Sequence, residues 1–276
     1  MRLKDLLQNK PVIMGILNIT PDSFSDGGHH NSVEKAVERA GGFLSQGATI
    51  LDIGGESTRP YADVVTPEDE ISRVVPVITA IIKKFPEAVI SIDTRNSATM
   101  RAALDAGASM INDVSALQHD PESIKLATEA DVPVCLMHMK GTPEDMQDKP
   151  VYEDVIQEIT NFFKERVEFC ISHDVKKENI ILDPGIGFGK TVHHNLLILK
   201  HIDQFKSLGY PLLIGASRKS FIAKISENAP VDKRLGGSIA SALYASEKGA
   251  DILRVHDVEE TAQALRIYSS IQSSDE

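Results

Sequence analysis

What most constrains the fold is a unit that repeats along the chain: a short run of wholly apolar residues, a polar residue at its end, then a stretch with helical spacing. Residues 11–19, 49–53, 88–92, 109–111, 133–137, 180–182, 212–214 and 252–254 read as strands. They are apolar on both faces rather than alternating, as expected of a parallel sheet covered by helices. Helical spacing runs over 32–46 with Ser32 as N-cap and Gly47 closing it, and over 67–85 with Pro67 in the first turn. It returns over 96–106, 122–130, 152–172, 235–248 and 258–271. Strand and helix thus alternate about eight times in 276 residues, which fits a TIM (β/α)8 barrel of one domain spanning 1–276, with a polar tail from about 272. The alternative is an open doubly wound sheet, but no dinucleotide fingerprint follows the first strand.

The net charge of -11 argues against a nucleic-acid partner, which needs a basic face. Cys135 and Cys170 are the only cysteines and suggest no disulfide framework, so a reducing cytoplasmic setting is expected. Neither a signal peptide nor an apolar run of about 20 residues is visible, so no membrane partner is expected.

The polar residues fall where a barrel builds its site. Asn18, Asp93, Asn112, His138, Asp183 and Arg254 end strands, while Thr58, Arg59 and Lys219 lie in loops just beyond one. In a barrel those ends share one rim. Asp183 opens the turn Pro184-Gly185-Ile186-Gly187-Phe188-Gly189-Lys190, which lacks the Walker spacing and predicts a loop with room for something bulky. Asp93, Asn112 and Asp183 suit a flat heterocycle with donor and acceptor edges such as an amino-pyrimidinone, and purines, pterins and guanidinium groups all offer such a donor edge. Three oxygen ligands for a metal are the alternative, although no single loop carries a close pair of acids. Lys219 is placed to meet a carbonyl, a ring nitrogen or an anion, and Ser220 lies near a helix start that favours a carboxylate or phosphate; a solvated basic turn is the other possibility. Arg254 and His256 share a strand face and make a two-pronged anion site. His138, between Met137 and Met139, is expected to be structural, with Met139 lining the pocket. His29, His30, His193, His194 and His201 are expected at the surface.

With these segments in place, the chain resembles dihydropteroate synthase. The resemblance is carried by residues 14–28 and 54–60, by Ile111-Asn112-Asp113-Val114 and by Leu136-Met137-His138-Met139. It continues through residues 182–190, Ser217-Arg218-Lys219-Ser220 and Arg254-Val255-His256-Asp257, in family order and spacing. The resemblance implies a TIM barrel that joins 6-hydroxymethyl-7,8-dihydropterin diphosphate to 4-aminobenzoate in folate synthesis, releasing pyrophosphate. By position, Asp93, Asn112, Asp183 and Lys219 would hold the pterin ring, with Met139 and Phe188 along its faces. Asn18 would bind Mg²⁺ on the diphosphate, and Arg59, Arg254 and His256 would hold the phosphates. Phe24, Thr58, Pro60, Phe188 and Ser220 would shape the 4-aminobenzoate site. Lys219, Arg254 and Asp93 are the expected catalytic residues, and the family suggests a homodimer that sulfonamides inhibit. One position departs from the family: Tyr61 follows Arg59-Pro60 where glycine is usual, which predicts altered loop closure and an altered balance between sulfonamide and 4-aminobenzoate. Two rivals share the carboxylate rim, a methyltetrahydrofolate–corrinoid methyltransferase and a non-catalytic pterin- or sulfonamide-binding module.

Overall fold

The computed structural model describes residues 2–9, 11–19, 28–56, 65–141 and 150–274. Eight parallel strands make one sheet: β1 (Val12–Asn18), β2 (Ile50–Gly54), β3 (Val89–Asp93), β4 (Met110–Asp113), β5 (Val134–Met137), β6 (Ile180–Asp183), β7 (Leu213–Ile214) and β8 (Ile252–Val255). Their order is β6-β5-β4-β3-β2-β1-β8-β7. A single parallel bridge, Leu182 to Leu212, joins the two ends of that order and closes the barrel. The TIM barrel expected from the alternation is therefore the fold observed.

The described α-helices are α1 (Leu3–Leu6), α2 (Gly28–Gln46), α3 (Pro67–Lys84), α4 (Ser97–Asp105), α5 (Glu122–Ala130), α6 (Val155–Ser172), α7 (Val192–Lys200), α8 (Ile202–Lys206), α9 (Ser220–Ile225), α10 (Leu235–Glu247) and α11 (Val258–Gln272), with short 3-10 turns at Leu7–Asn9, Lys177–Asn179 and Val231–Lys233. Their ends are set by local chemistry. The Thr66 side chain accepts from the backbone N–H of Asp69 at the start of α3, whose first turn is acidic and whose last turn carries Lys83 and Lys84, matching the helix dipole. Asp154 caps α6 through the N–H groups of Ile156 and Gln157. Thr191 and His194 form a capping box at α7. Helix α2 begins at Gly28, so Ser32 lies inside it rather than capping it.

Alternation along the strands separates two apolar layers. Ile13, Leu51, Ile53, Ile90, Ile92, Ile111, Leu182 and Leu253 face outward and pack with the helices in the main core. Their neighbours Val12, Met14, Ile50, Met110, Cys135, Ile181, Leu213 and Ile252 face inward and form a separate cluster that fills the lower part of the barrel. Leu3 of α1 joins that cluster at 2% exposure, with Leu6 and Leu7 packed against it, so α1 plugs the floor of the barrel.

Candidate active site

Two residues further along the same strands, the inward positions change character. Ile50 is followed by Asp52, Met110 by Asn112, Ile181 by Asp183 and Ile252 by Arg254. The upper half of the barrel interior is therefore lined by polar side chains, and the register aligns Asp93 with Asn112 and Met137 with Asp183.

Asp52 is fully buried and sits at the centre of this layer. It accepts from Asn112 Nδ2 at 3.1 and 3.3 Å and from Arg254 Nε at 2.6 Å. Arg254 Nη2 donates to Asp93 Oδ2 at 2.5 Å. One guanidinium thus bridges two carboxylates, which, with the neighbouring Asp183, hold it strongly protonated against the cost of burial. Burial pushes Asp93 up to about 7 against the pull of Arg254, with Asp52 adding to the rise. The other oxygen, Asp93 Oδ1, is buried and has no hydrogen-bond partner among the described residues. Such an atom is costly unless a ligand supplies a donor.

The opposite wall comes from the turn after β6 and the segment after β7. Asp183 Oδ1 accepts from the N–H of Gly185 at 2.7 Å. Burial raises its pKa, while that N–H, Lys219, Arg254 and Lys190 pull it back. Lys219 Nζ lies 4.0 Å from the Phe188 ring centroid, a cation–π contact. Burial and the nearby Arg254 push Lys219 down to about 8. Phe188 packs with Val114, Met137 and Met139, so Met139 and Phe188 do share one apolar wall. Behind them Lys190 and His138 form a buried pair, and His138 is structural as expected.

Several expectations need adjusting. The glycines of the 185–189 turn do not leave a vacancy for a ligand. All three have positive φ, and a Cβ on Gly185 would lie 2.0 Å from the His138 carbonyl oxygen, and one on Gly189 2.1 Å from that of Lys140. The room is taken by neighbouring backbone, and at Gly187 by the Lys219 side chain at 3.2 Å. Arg254 and His256 do not form a pair of charged prongs. Arg254 is turned onto Asp52 and Asp93, while burial and the cations Arg254 and Arg218 push His256 down to about 3. The Ser217 hydroxyl accepts from the His256 backbone N–H at 3.2 Å and lies 3.0 Å from Nδ1, which holds a neutral imidazole in place. Ser220 begins α9 and is exposed. Asn18 ends β1, half-buried, beside Gly54. Phe24, Thr58, Arg59, Pro60 and Tyr61 lie outside the described residues.

Two site residues escaped the sequence reading. Asp52 stands alone in the apolar run Ile50-Leu51-Asp52-Ile53, and a lone charge inside a buried strand was the available signal. Lys190 was visible only as the end of a glycine-rich motif. Asp52, Asp93 and Asp183 are balanced locally by Arg254, Lys190 and Lys219, so the site is far less acidic than the chain as a whole. Chemically, this is a slot with acceptors on one edge, two cations within reach and one apolar face.

Comparison with known proteins agrees with this chemistry. Residues 14–256 match the family described as pterin binding enzyme. The dihydropteroate synthase of Haemophilus influenzae is 48% identical over 260 residues, covering 94% of each chain. Among solved structures, dihydropteroate synthase of Xanthomonas albilineans with 4-aminobenzoic acid superposes with a TM-score of 0.90 at 42% identity, covering 97% of this chain and 95% of that one. The Yersinia pestis enzyme in a sulfonamide drug complex also reaches 0.90, at 44% identity, covering 96% and 95%. A family match from the first strand to the last and superposition along nearly the full length agree: the chain belongs to the pterin-binding enzyme family.

Proposed function

We propose that this chain is a dihydropteroate synthase, a transferase that condenses 6-hydroxymethyl-7,8-dihydropterin diphosphate with 4-aminobenzoate. The observation that carries the proposal is the convergence of Asp93, Asn112 and Asp183 on one rim, with Lys219 over Phe188 closing the other side. The unpartnered Asp93 Oδ1 and the remaining oxygen of Asp183 are acceptors for ring N–H groups. Met139 and Phe188 supply the flat walls.

In the reaction the C–O bond at the pterin methylene breaks, and the diphosphate leaves with the electron pair. The 4-aminobenzoate nitrogen supplies the new pair and then loses one proton to solvent. An aniline is neutral at pH 7, so the site needs positioning and charge stabilisation rather than a strong base. Positive charge growing at the methylene faces Asp52 and Asp93, which share one Arg254 between them. Lys219 and the neutral N–H of His256 are the described donors for the leaving group, with Arg59 as a further cation. Asn18 offers the hard oxygen that suits Mg²⁺, an ion that takes few protein ligands and completes its shell with phosphate and water. An Mg²⁺ held there would offset part of the diphosphate charge. Thr58, Pro60, Phe24, Phe188 and Ser220 shape the 4-aminobenzoate site, where sulfonamides compete.

The enzyme works in the cytoplasm as a homodimer. No helix among the described residues is long and apolar enough to cross a membrane. Leu196, Ile225 and Tyr244 are exposed and line one groove between α7, α9 and α10, an apolar surface suited to a second copy. Light scattering at micromolar concentration reads the dimer.

Pyrophosphate release, with pterin diphosphate, Mg²⁺ and 4-aminobenzoate omitted in turn, tests the activity. Release should require all three. A folded protein that binds pterin and releases nothing would instead be a methyltransferase relative or a binding module.

A further inference from the structure

Lys190 is 3% exposed and takes no part in the chemistry above. Its Nζ lies 2.8 Å from the Phe188 carbonyl oxygen, 3.1 Å from the His138 carbonyl oxygen and 3.0 Å from His138 Nδ1. An ammonium has three protons and no lone pair, and here each proton has one acceptor. Burial pushes Lys190 down to about 7, while Asp183 pulls it back up. Burial and the same lysine push His138 down to about 2, so its imidazole stays neutral, with Nδ1 as acceptor.

The surroundings explain why a cation is needed. Gly185 and Gly189 let the carbonyls of His138 and Lys140 approach the turn, and the Tyr152 hydroxyl donates to the Gly189 oxygen at 2.9 Å. Two carbonyls and an imidazole lone pair consequently face one buried point. Without a donor there they repel one another and lose their hydrogen bonds. Phe188, whose carbonyl is one of the three, carries the ring under Lys219. Asp183 opens the same turn.

We infer that Lys190 is a positioning residue for the reaction: its ammonium is a built-in cation that gathers the 185–189 turn onto His138 and so fixes Phe188 and Asp183, two walls of the substrate slot. This rests on the assignment of that slot to pterin and 4-aminobenzoate. Because Phe188 borders both substrates, loss of the cation loosens both sites. A substitution that merely unfolds part of the protein lowers the maximal rate and leaves both KM values alone.

Pyrophosphate release is measured for the wild type, Lys190→Ala, Lys190→Met and His138→Ala, with and without n-propylammonium or tetramethylammonium. Lys190→Ala should raise KM for both substrates roughly tenfold or more, with a smaller change in kcat. Propylammonium should reverse much of that rise in Lys190→Ala but not in Lys190→Met, where the stem is filled, and tetramethylammonium, which has no N–H, should reverse neither. His138→Ala removes one acceptor and should give a smaller rise in the same two KM values; it carries the test if Lys190→Ala is insoluble. Unchanged KM values, a lower maximal rate alone, or a KM rise in Lys190→Ala that propylammonium leaves untouched would each overturn the role. If the wild type itself releases nothing, the assigned reaction fails and the role with it, whereas normal wild-type release beside unchanged variant KM values removes the role alone.

Discussion

The lower and upper halves of the barrel interior are built on the same strands, two residues apart, and obey opposite rules. Below, Met14, Ile50, Met110, Cys135, Ile181, Leu213 and Ile252 fill the tube with apolar volume and Leu3 closes it. Above, Asp52, Asp93, Asn112 and Asp183 are buried and Arg254 is partly exposed, and these polar groups satisfy one another only in part. The floor is complete without a ligand. The rim retains an acceptor, Asp93 Oδ1, that has no hydrogen-bond partner among the described residues. Stability and chemistry are thus separated by one step of strand alternation.

The sharpest way to break the contrast is to carry the rule of the rim into the floor. Ile50→Asp places an unpaired carboxylate at a site with 0% exposure, and should cost more than about 4 kcal/mol or prevent folding, as read by urea denaturation. Next comes the reverse change. Arg254→Ala leaves Asp52 and Asp93 facing each other without a cation; it should lower stability by about 3 kcal/mol, towards the low end for a broken buried pair because the arginine is partly exposed. Turnover should fall with it, and unchanged kcat and KM would remove Arg254 from the chemistry.

A smaller change tests the ligand-facing acceptors. Asp183→Asn keeps the shape and removes the charge, so pterin affinity by calorimetry should weaken by roughly 1.5 kcal/mol or more, about tenfold. An unaltered affinity would place the ring elsewhere. The mildest perturbation is pH. Asp93 is raised to about 7, so it ionises as pH climbs through that value, and Lys219, lowered to about 8, loses its charge above it. If both charges serve, kcat/KM should peak between these values and fall about tenfold per unit on either side. Asp93→Asn should abolish the acid limb only. The same shift has a stability sign. Between about 4 and 7 the folded Asp93 binds the extra proton, so its contribution to stability is present at low pH and declines as pH rises through that window.

Much of the contrast was legible beforehand. Seven of the eight strands run five residues or fewer in sequence or structure, yet their polar end residues, Asn18, Asp93, Asn112, Asp183 and Arg254, are plain in the chain. What stayed hidden needed three dimensions. Asp52 lies inside its strand rather than at the end, and only the partners Arg254 and Asn112, on β8 and β4, give it a purpose. Helices α7 and α8 between β6 and β7 were missed for a different reason. The run Leu196-Leu197-Ile198-Leu199 is apolar on both sides, since Ile198 and Leu199 enter the core while Leu196 is 44% exposed beside Ile225 and Tyr244. That erases the periodicity on which a helix is recognised. The plug formed by Leu3, Leu6 and Leu7 is too short for any period to register.

The barrel closes between β6 and β7 through one bridge, Leu182 to Leu212, and β7 is two residues long. Of all the joints in the hoop, this one has the fewest hydrogen bonds to break, so local opening should begin there. The two sides of that joint are also the two sides of the slot: Asp183 and Phe188 follow β6, and Lys219 follows β7. A substrate held by both acts as a rivet across the joint, and part of its binding energy is spent keeping the hoop shut. Ligand occupancy should therefore slow amide exchange at Leu182 more than at the strands opposite, and the enzyme is most itself as a closed ring when it is at work.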